Sequence, residues 1–300
     1  MKRLSILFAL LGTVVLLDSC TTVIDAKLDT GPTQLSVDAV LTDQPGAQTI
    51  RLTQTAAYFN NSTPPAATSA TVTVTDNAGK SYTFLDPDND GYYVWQPTGN
   101  DTLGHIGRTY QLSIGFQGET YRAVSKMNRV PPIDSLIFVK RKLNPFSKNE
   151  GYRAEFYAVD IPNQTDYYRV RFFRNGELQN KPNNIVTSQD GGFRSGTSVT
   201  DGLMFIVPIR RSINVDSLYA MNDVVKVELQ SLTSEAFDFW QQFRTQITNG
   251  GLFATPPANI PTNISNTNPS GRGAVGFFIT SAVRSRTATV NQTNIRVRED

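Results

Sequence analysis

Three carboxylates at alternate positions, followed by a glycine, form the clearest metal-binding pattern in the sequence. Asp86, Asp88 and Asp90 precede Gly91, and oxygen ligands with this spacing can wrap a hard cation such as calcium. Pro97 stands where a complete calcium loop has its bidentate glutamate. Asp, Asn and Gly are also the usual residues of a hairpin turn. We expect this segment to be a turn, and calcium is the one cofactor that it could bind. Identical melting curves of the protein with and without calcium would exclude calcium binding.

A strand with interleaved arginines and aromatics is the second candidate site. In segment 167–174, period-two alternation places Tyr168, Val170 and Phe172 on one face. The other face carries Tyr167, Arg169, Arg171 and Phe173. Both residue types are enriched at binding hot spots, so this face could contact a protein, a glycan or a carboxylate. The alternative, which we favour, is a solvent-facing strand whose long side chains cover apolar neighbours.

The sequence offers little material for nucleophilic, redox or zinc chemistry. It contains one histidine, His105, and one cysteine, Cys20, which excludes sites built from several His or Cys ligands. No Gly-x-Ser-x-Gly elbow occurs, and His105 has no nucleophile near it in sequence. We therefore expect a protein that is not an enzyme.

The charge balance argues against a nucleic-acid partner. The chain has 28 basic and 26 acidic residues and a net charge of +2, whereas nucleic-acid-binding domains carry a basic patch or stripe. The basic run Lys140-Arg141-Lys142 is predicted to be a solvated strand edge and not a phosphate or lipid patch.

The amino terminus has the pattern of a secretory signal. Two basic residues precede an apolar run from Leu4 to Leu17, and Ser19 stands directly before Cys20. The run is shorter than the ~20 residues of a membrane-spanning helix. The segment resembles a bacterial lipoprotein signal, with Asp18 an unusual occupant of its position. This resemblance implies removal of residues 1–19 and lipidation of Cys20; ordinary secretion with a free cysteine is the alternative.

The residue after the cysteine favours the outer membrane. Lipoproteins of Gram-negative bacteria are generally kept at the inner membrane by Asp at that position, where this chain has Thr21. Residues 20–33 form a predicted lipid-anchored tether that could reach up to ~40 Å from the bilayer. The periplasmic and the surface face both remain open.

The rest of the chain is predicted to be mainly β with one amphipathic helix. Alternation gives about seven strands before residue 128, the number expected of a small β-sandwich. The prolines of segment 129–132 cannot donate ladder hydrogen bonds, so we place a boundary there. We expect a β-sandwich over 34–128 and a second β-rich domain over 133–300. Its helix, about 234–248, begins at Thr233 as cap. On this helix, Ala236, Trp240, Phe243 and Ile247 recur on one face.

Short motifs in a fixed order resemble a known family. They are Pro131-Pro132-Ile133-Asp134-Ser135-Leu136, Tyr167-Tyr168-Arg169, Leu229-Gln230-Ser231 and Gly273-Ala274-Val275-Gly276-Phe277-Phe278. In this order they resemble the Bacteroidota envelope lipoprotein family known as domain of unknown function 4249. The resemblance implies a location alongside TonB-dependent outer-membrane transporters. It also implies an amino-terminal domain similar to prealbumin-like or immunoglobulin-like modules, and it brings no catalytic residue.

Three Asp-Ser/Thr-apolar tripeptides resemble the O-glycosylation acceptors of exported Bacteroidota proteins. Their hydroxyls belong to Thr102, Ser135 and Ser217. Chance matches are expected in a chain rich in Thr and Asp. An intact mass from the native host without a glycan increment would exclude modification.

Two functions follow as expectations. The first is a non-catalytic accessory lipoprotein that docks on a β-barrel transporter. The alternative is a free-standing module that binds a glycan, a small ligand or calcium. A flat aromatic and arginine-rich face would favour a protein partner, whereas a pocket with convergent polar groups would favour a ligand.

Overall fold

Strands with alternating buried side chains build most of this fold, which is mainly β as predicted. A computed structural model describes residues 31–56, 63–99, 101–142, 146, 150–193, 199–214, 217–250, 254, 256 and 258–296. The predicted signal, Cys20 and most of the predicted tether lie outside the described residues. Within the described ranges, no helix is both long enough and apolar enough to cross a membrane.

The described residues before position 128 contain seven strands, which confirms the number predicted from alternation. They are β1 (Leu35–Thr42), β2 (Gln48–Gln54), β3 (Thr71–Asp76), β4 (Ser81–Phe84), β5 (Tyr92–Trp95), β6 (Thr109–Phe116) and β7 (Glu119–Lys126). Alternate apolar residues are buried; strand β1, for example, buries Leu35, Val37, Ala39 and Leu41. Each buried Leu or Val side chain contributes about 1.5–3 kcal/mol when it leaves water.

Ten more strands and two α-helices lie in the described residues after position 128. The strands are β8 (Ser135–Lys142), β9 (Glu150–Tyr157), β10 (Tyr167–Arg174), β11 (Glu177–Leu178), β12 (Val186–Gln189), β13 (Val224–Leu232), β14 (Ser265–Asn266), β15 (Ala274–Ser281), β16 (Val283–Thr289) and β17 (Ile295–Arg296). The helices are α1 (Val207–Arg210) and α2 (Ser234–Thr248), and Pro182–Asn184 form a 3-10 turn.

The strands form four sheets. Their orders are β15-β1-β2-β5, β14-β7-β6-β3-β4, β11-β10-β13-β16 with β12 also on β10, and β17-β8-β9. Two pairings are parallel, β1 with β15 and β8 with β17. Buried side chains from all four sheets belong to one hydrophobic cluster.

Strand pairing crosses the predicted boundary at residues 129–132. Strand β15 comes from the predicted second domain, yet it lies parallel to β1, with Ala274 opposite Leu35. Strand β14 likewise pairs with β7. After Ala282 the chain continues from β15 into β16, and the Ala282 N–H donates to Ser231 Oγ at 2.9 Å. One continuous segment therefore contributes a strand to each of two sheets.

Helix α2 has the predicted bounds, and its cap is confirmed. Thr233 Oγ1 accepts a hydrogen bond from the Ala236 N–H at 3.2 Å. Ala236 and Phe237 are buried against Phe277 of β15 and its neighbours. Of the four residues predicted to recur on one face, Ala236 is buried, Trp240 and Phe243 are half-buried, and Ile247 is exposed. Both buried residues of the helix, Ala236 and Phe237, lie in its first turn, whereas Ile247 lies in its last.

Candidate functional site

The predicted calcium loop is a turn between β4 and β5. The Asp86 carboxylate accepts hydrogen bonds from the N–H groups of Asp90 and Gly91, both at 3.1 Å. A Cβ at Gly91, where φ is +84°, would lie 2.5 Å from a carbonyl oxygen of β2, so the glycine serves a close backbone approach. Asp88 is exposed. Among the described residues, no group of three or more His, Cys, Asp or Glu side chains is placed to hold a metal ion. Calcium binding stays a prediction.

Helix α2 covers half of the predicted contact face on β10. Tyr168, Val170 and Phe172 are buried on the inner side, as the alternation predicts. On the outer side, Arg169 Cζ lies 3.6 Å from the centre of the Trp240 ring, and the Tyr167 ring lies 5.1 Å from the Phe237 ring. Burial, followed by the neighbouring Arg171 cation, lowers the pKa of Arg169. Arg169 and Tyr167 of β10 therefore pack against helix α2 and help to hold it on the sheet.

On the other half of that face, basic side chains form ion pairs with an acidic residue. Arg171 lies 3.6 Å from Glu228, and Lys226 Nζ lies 2.7 Å from the same carboxylate. Lys226 Nζ also lies 5.2 Å from the centre of the Phe173 ring. The partners come from β13, which the β10 sequence alone does not reveal. Partner binding by this face stays a prediction, and Arg171 and Phe173 are the residues that would carry it.

The three predicted glycosylation hydroxyls differ in accessibility. Thr102 and Ser135 are half-buried, and Ser135 is the first residue of β8. Ser217 is exposed, and its Oγ accepts a hydrogen bond from Arg174 at 3.0 Å. Of the three, Ser217 is the most open to a glycosylating enzyme, and its modification stays a prediction.

An exposed apolar group lies beyond the end of β9, and sequence analysis missed it. Val159 and Met204 face each other in an antiparallel bridge and are 43% and 47% exposed. Leu203 and Val207, close to Met204 in the chain, are 56% and 39% exposed. We call these four residues the apolar group. The bridge brings Val159 and Met204 together, and Leu203 and Val207 lie near Met204 along the chain. Contiguous exposed apolar surface marks contact sites for proteins or membranes.

Buried polar groups fix the backbone that carries the apolar group. The Asp160 carboxylate accepts from the Gly202 N–H at 3.0 Å and from the Tyr168 hydroxyl at 2.5 Å. The Asp160 N–H donates to the Leu203 carbonyl at 2.9 Å. Because Asp160 is nearly inaccessible to water, these bonds are strong and hold the segment in one conformation.

Arg129, from the predicted boundary, joins this network. Its Nε donates to the Asp166 carboxylate at 2.8 Å, and its Nη2 donates to the Ile161 carbonyl at 2.8 Å. The Asp166 N–H in turn donates to the Asp190 carboxylate at 2.7 Å. Burial raises the pKa of Asp160 and of Asp190, and it raises the pKa of Asp166 to about 6. Arg129 pairs with Asp166, while the nearby Asp160 and Asp190 carboxylates raise the pKa of Asp166, so this carboxyl can hold a proton up to about pH 6.

The raised pKa of Asp166 predicts a pH-dependent stability. Its folded pKa of about 6 exceeds the ordinary value of 3.8, so the folded state binds this proton more tightly than the unfolded state. The stabilisation is present at low pH and is lost as the pH rises through 6. Between pH 7 and pH 5 the wild type should gain about 1.4 kcal/mol from this group.

Urea denaturation at the two pH values measures the effect. Asp166→Asn should lose the gain, whereas Asp134→Asn, at an exposed carboxylate, should keep it. Arg129 lowers the pKa of Asp166, while Asp160 and Asp190 raise it. An Asp166→Asn variant with the wild-type pH dependence would show that this carboxyl does not take up the proton.

The architecture is that of a mainly β protein with several open sheets, and it exposes an apolar group beyond one strand end. The chain belongs to the family described as domain of unknown function (DUF4249), whose model matches residues 21–287. The family indicated by motif order is therefore confirmed. No curated protein matches the chain.

Proposed function

We propose that this protein is a non-catalytic lipoprotein of the outer membrane, anchored through Cys20, that docks on a β-barrel transporter of the TonB-dependent type. The docking rests on the apolar group, four apolar side chains exposed on a backbone that buried hydrogen bonds hold in place. The amino-terminal pattern, an apolar run followed by Ser19 and Cys20, supports the anchor.

Anchoring makes a modest interface sufficient. A lipid on Cys20 confines the folded part to a thin layer near the bilayer, which raises its effective concentration beside membrane-embedded partners. Covering the apolar group then adds about 25 cal/mol for each Å² of apolar surface removed from water. Met204 suits such a contact because its flexible thioether adapts to the partner.

Crosslinked purification from the native outer membrane tests the docking. The wild type should recover one barrel protein in near-stoichiometric amount. Leu203→Gln with Met204→Gln should lower that recovery at least fivefold, because polar side chains forfeit the apolar burial. Val124→Gln is the matched control, since Val124 is 55% exposed on β7, and its recovery should equal that of the wild type.

The anchor is tested in the same preparation. Cys20→Ala should release the protein from the membrane and sharply lower the recovery of the barrel. Wild-type protein that is recovered alone contradicts docking and favours the free-standing alternative. A Cys20→Ala variant that stays in the membrane contradicts lipid anchoring.

A further inference from the structure

A small pocket lined by arginines opens on the outer face of the β8–β9 sheet. In the register of the two strands, Val139 lies opposite Arg153 and Ile137 lies opposite Glu155, so these side chains share one face. The pocket has a volume of about 140 Å³. Its polar lining consists of Arg141, Arg153, Glu155, Tyr157 and Arg211, and we call it the arginine pocket.

The buried carboxylate of the arginine pocket pairs with two guanidinium groups, Arg211 of the lining and Arg210 beside it. Glu155 is 3% exposed; it accepts from Arg211 Nε at 2.8 Å and lies 2.9 Å from Arg210 Nη1. Arg210 also stacks on the Tyr157 ring, 4.3 Å from its centre. The Nε of Arg210 is buried and, in the described part of the chain, has no hydrogen-bond partner. The negative charge of Glu155 is therefore already committed.

Two further arginines, Arg141 and Arg153, line the pocket. Within the described ranges, neither Arg141 nor Arg153 forms an ion pair. The three lining arginines and one lining carboxylate leave a formal excess of 3 − 1 = 2 positive charges, and Arg210, paired with Glu155 beside the pocket, adds another. Like charges in a partly desolvated site repel one another, so a bound anion would lower the energy of this arrangement. Guanidinium forks match the oxygens of phosphate and carboxylate groups.

We propose that the arginine pocket binds a phosphoryl group, either of a small phosphate monoester or of a membrane lipid headgroup. The volume of about 140 Å³ corresponds to roughly five water molecules, enough for one phosphate with little beyond it. A phosphate monoester carries about 1.5 to 2 negative charges at neutral pH, which offsets most of the excess, and it presents three acceptor oxygens. Ile137 and Val139 supply an apolar wall for the adjoining carbon atoms.

Titration of the full chain in neutral detergent micelles tests this site. In one arm, inorganic phosphate is added at fixed ionic strength, and binding is followed by calorimetry and by the melting temperature. In the other arm, the micelles contain phosphatidic acid or, for comparison, phosphatidylcholine. We expect saturable binding in at least one arm. Saturable binding of inorganic phosphate identifies a small phosphate ligand. Saturable binding of phosphatidic acid without binding of inorganic phosphate identifies a lipid headgroup.

Paired variants separate the site from general charge effects. Arg141→Gln with Arg153→Gln should weaken binding at least tenfold. Arg122→Gln with Arg244→Gln removes the same charge at two exposed positions and should change affinity less than twofold. Without ligand, the pocket variant should melt at the wild-type temperature or above it, because it relieves repulsion; a structural role would lower that temperature.

Two results would overturn the proposal. The first is the absence of saturable binding in both arms. The second is equal binding by the wild type and the pocket variant. Arg141→Lys is a second variant in case the double variant does not fold. It keeps the positive charge but loses the two-pronged hydrogen-bonding geometry of the guanidinium group. Its affinity should fall between those of the wild type and the double variant.

Discussion

Gly276→Ala should destabilise the protein by at least about 4 kcal/mol, a loss found only at special positions. Gly276 lies in β15 with φ +94°, and a Cβ there would lie 2.0 Å from the carbonyl oxygen of Val37 in β1. Alanine is strained at this φ. The overlap is with backbone that pairs with β15, so it cannot be relieved without opening the β1–β15 ladder. Urea denaturation of the full chain in detergent measures the loss.

Gly250→Ala is the matched control. A Cβ at Gly250 meets nothing within 4 Å, and its φ lies outside the left-handed region, so its stability should stay within ~1 kcal/mol of the wild type. Wild-type stability in Gly276→Ala would show that β15 does not approach β1 this closely. Gly276 lies inside one of the motifs that identify the family, and the close backbone approach gives a physical reason for glycine there.

Glu155→Gln should cost about 3 kcal/mol, because removing one partner of a buried ion pair leaves the other charges uncompensated. The glutamine keeps the shape of the side chain but leaves Arg210 and Arg211 without their carboxylate. Chemical denaturation measures the change. Glu150→Gln, on the same strand, is the control: Glu150 pairs with Lys140 at the surface, and its loss should change stability little.

The stabilisation of this variant by phosphate also tests the arginine pocket. If a phosphoryl group binds there, saturating phosphate should raise the stability of Glu155→Gln more than that of the wild type, because the variant has one more uncompensated positive charge. An equal increase in both proteins would contradict binding beside Glu155. A variant as stable as the wild type without phosphate would show that solvent already compensates the arginines.

Period-two alternation was sufficient to predict the strands whose inner face is apolar. Strands β1 to β7 have this pattern, and all seven were found. Strand β16 was missed because Arg284 and Arg286 interrupt any apolar alternation, and most of its side chains are half-exposed or exposed. The place of β15 could not be predicted, because its partner β1 lies at the other end of the chain and local pattern carries no information about such pairing.

The sites were harder to predict than the strands. The run Lys140-Arg141-Lys142 was interpreted as a solvated edge, which describes Lys140, paired at the surface with Glu150. Arg141 lies on the opposite face and lines the arginine pocket. The signal that could have revealed it is the period-two spacing of Arg153, Glu155 and Tyr157 on β9, the strand that pairs with β8. The apolar group has no periodic signal, because turns and a bridge assemble it outside the regular strands.

The pairing of β1 with β15 has a consequence for how the protein is made. Leu35 and Ala274, which lie opposite each other, are 274 − 35 = 239 positions apart. Because synthesis starts at the amino terminus, β1 exists long before its partner, and one edge of its sheet stays open until the intervening segment and β15 itself have been produced. Pairing over such a distance folds slowly, and an open edge is a template for aggregation. Shielding the β1 edge until β15 arrives would therefore protect this protein from aggregation during its biogenesis, and production of the segment before β15 alone would leave that edge without β15.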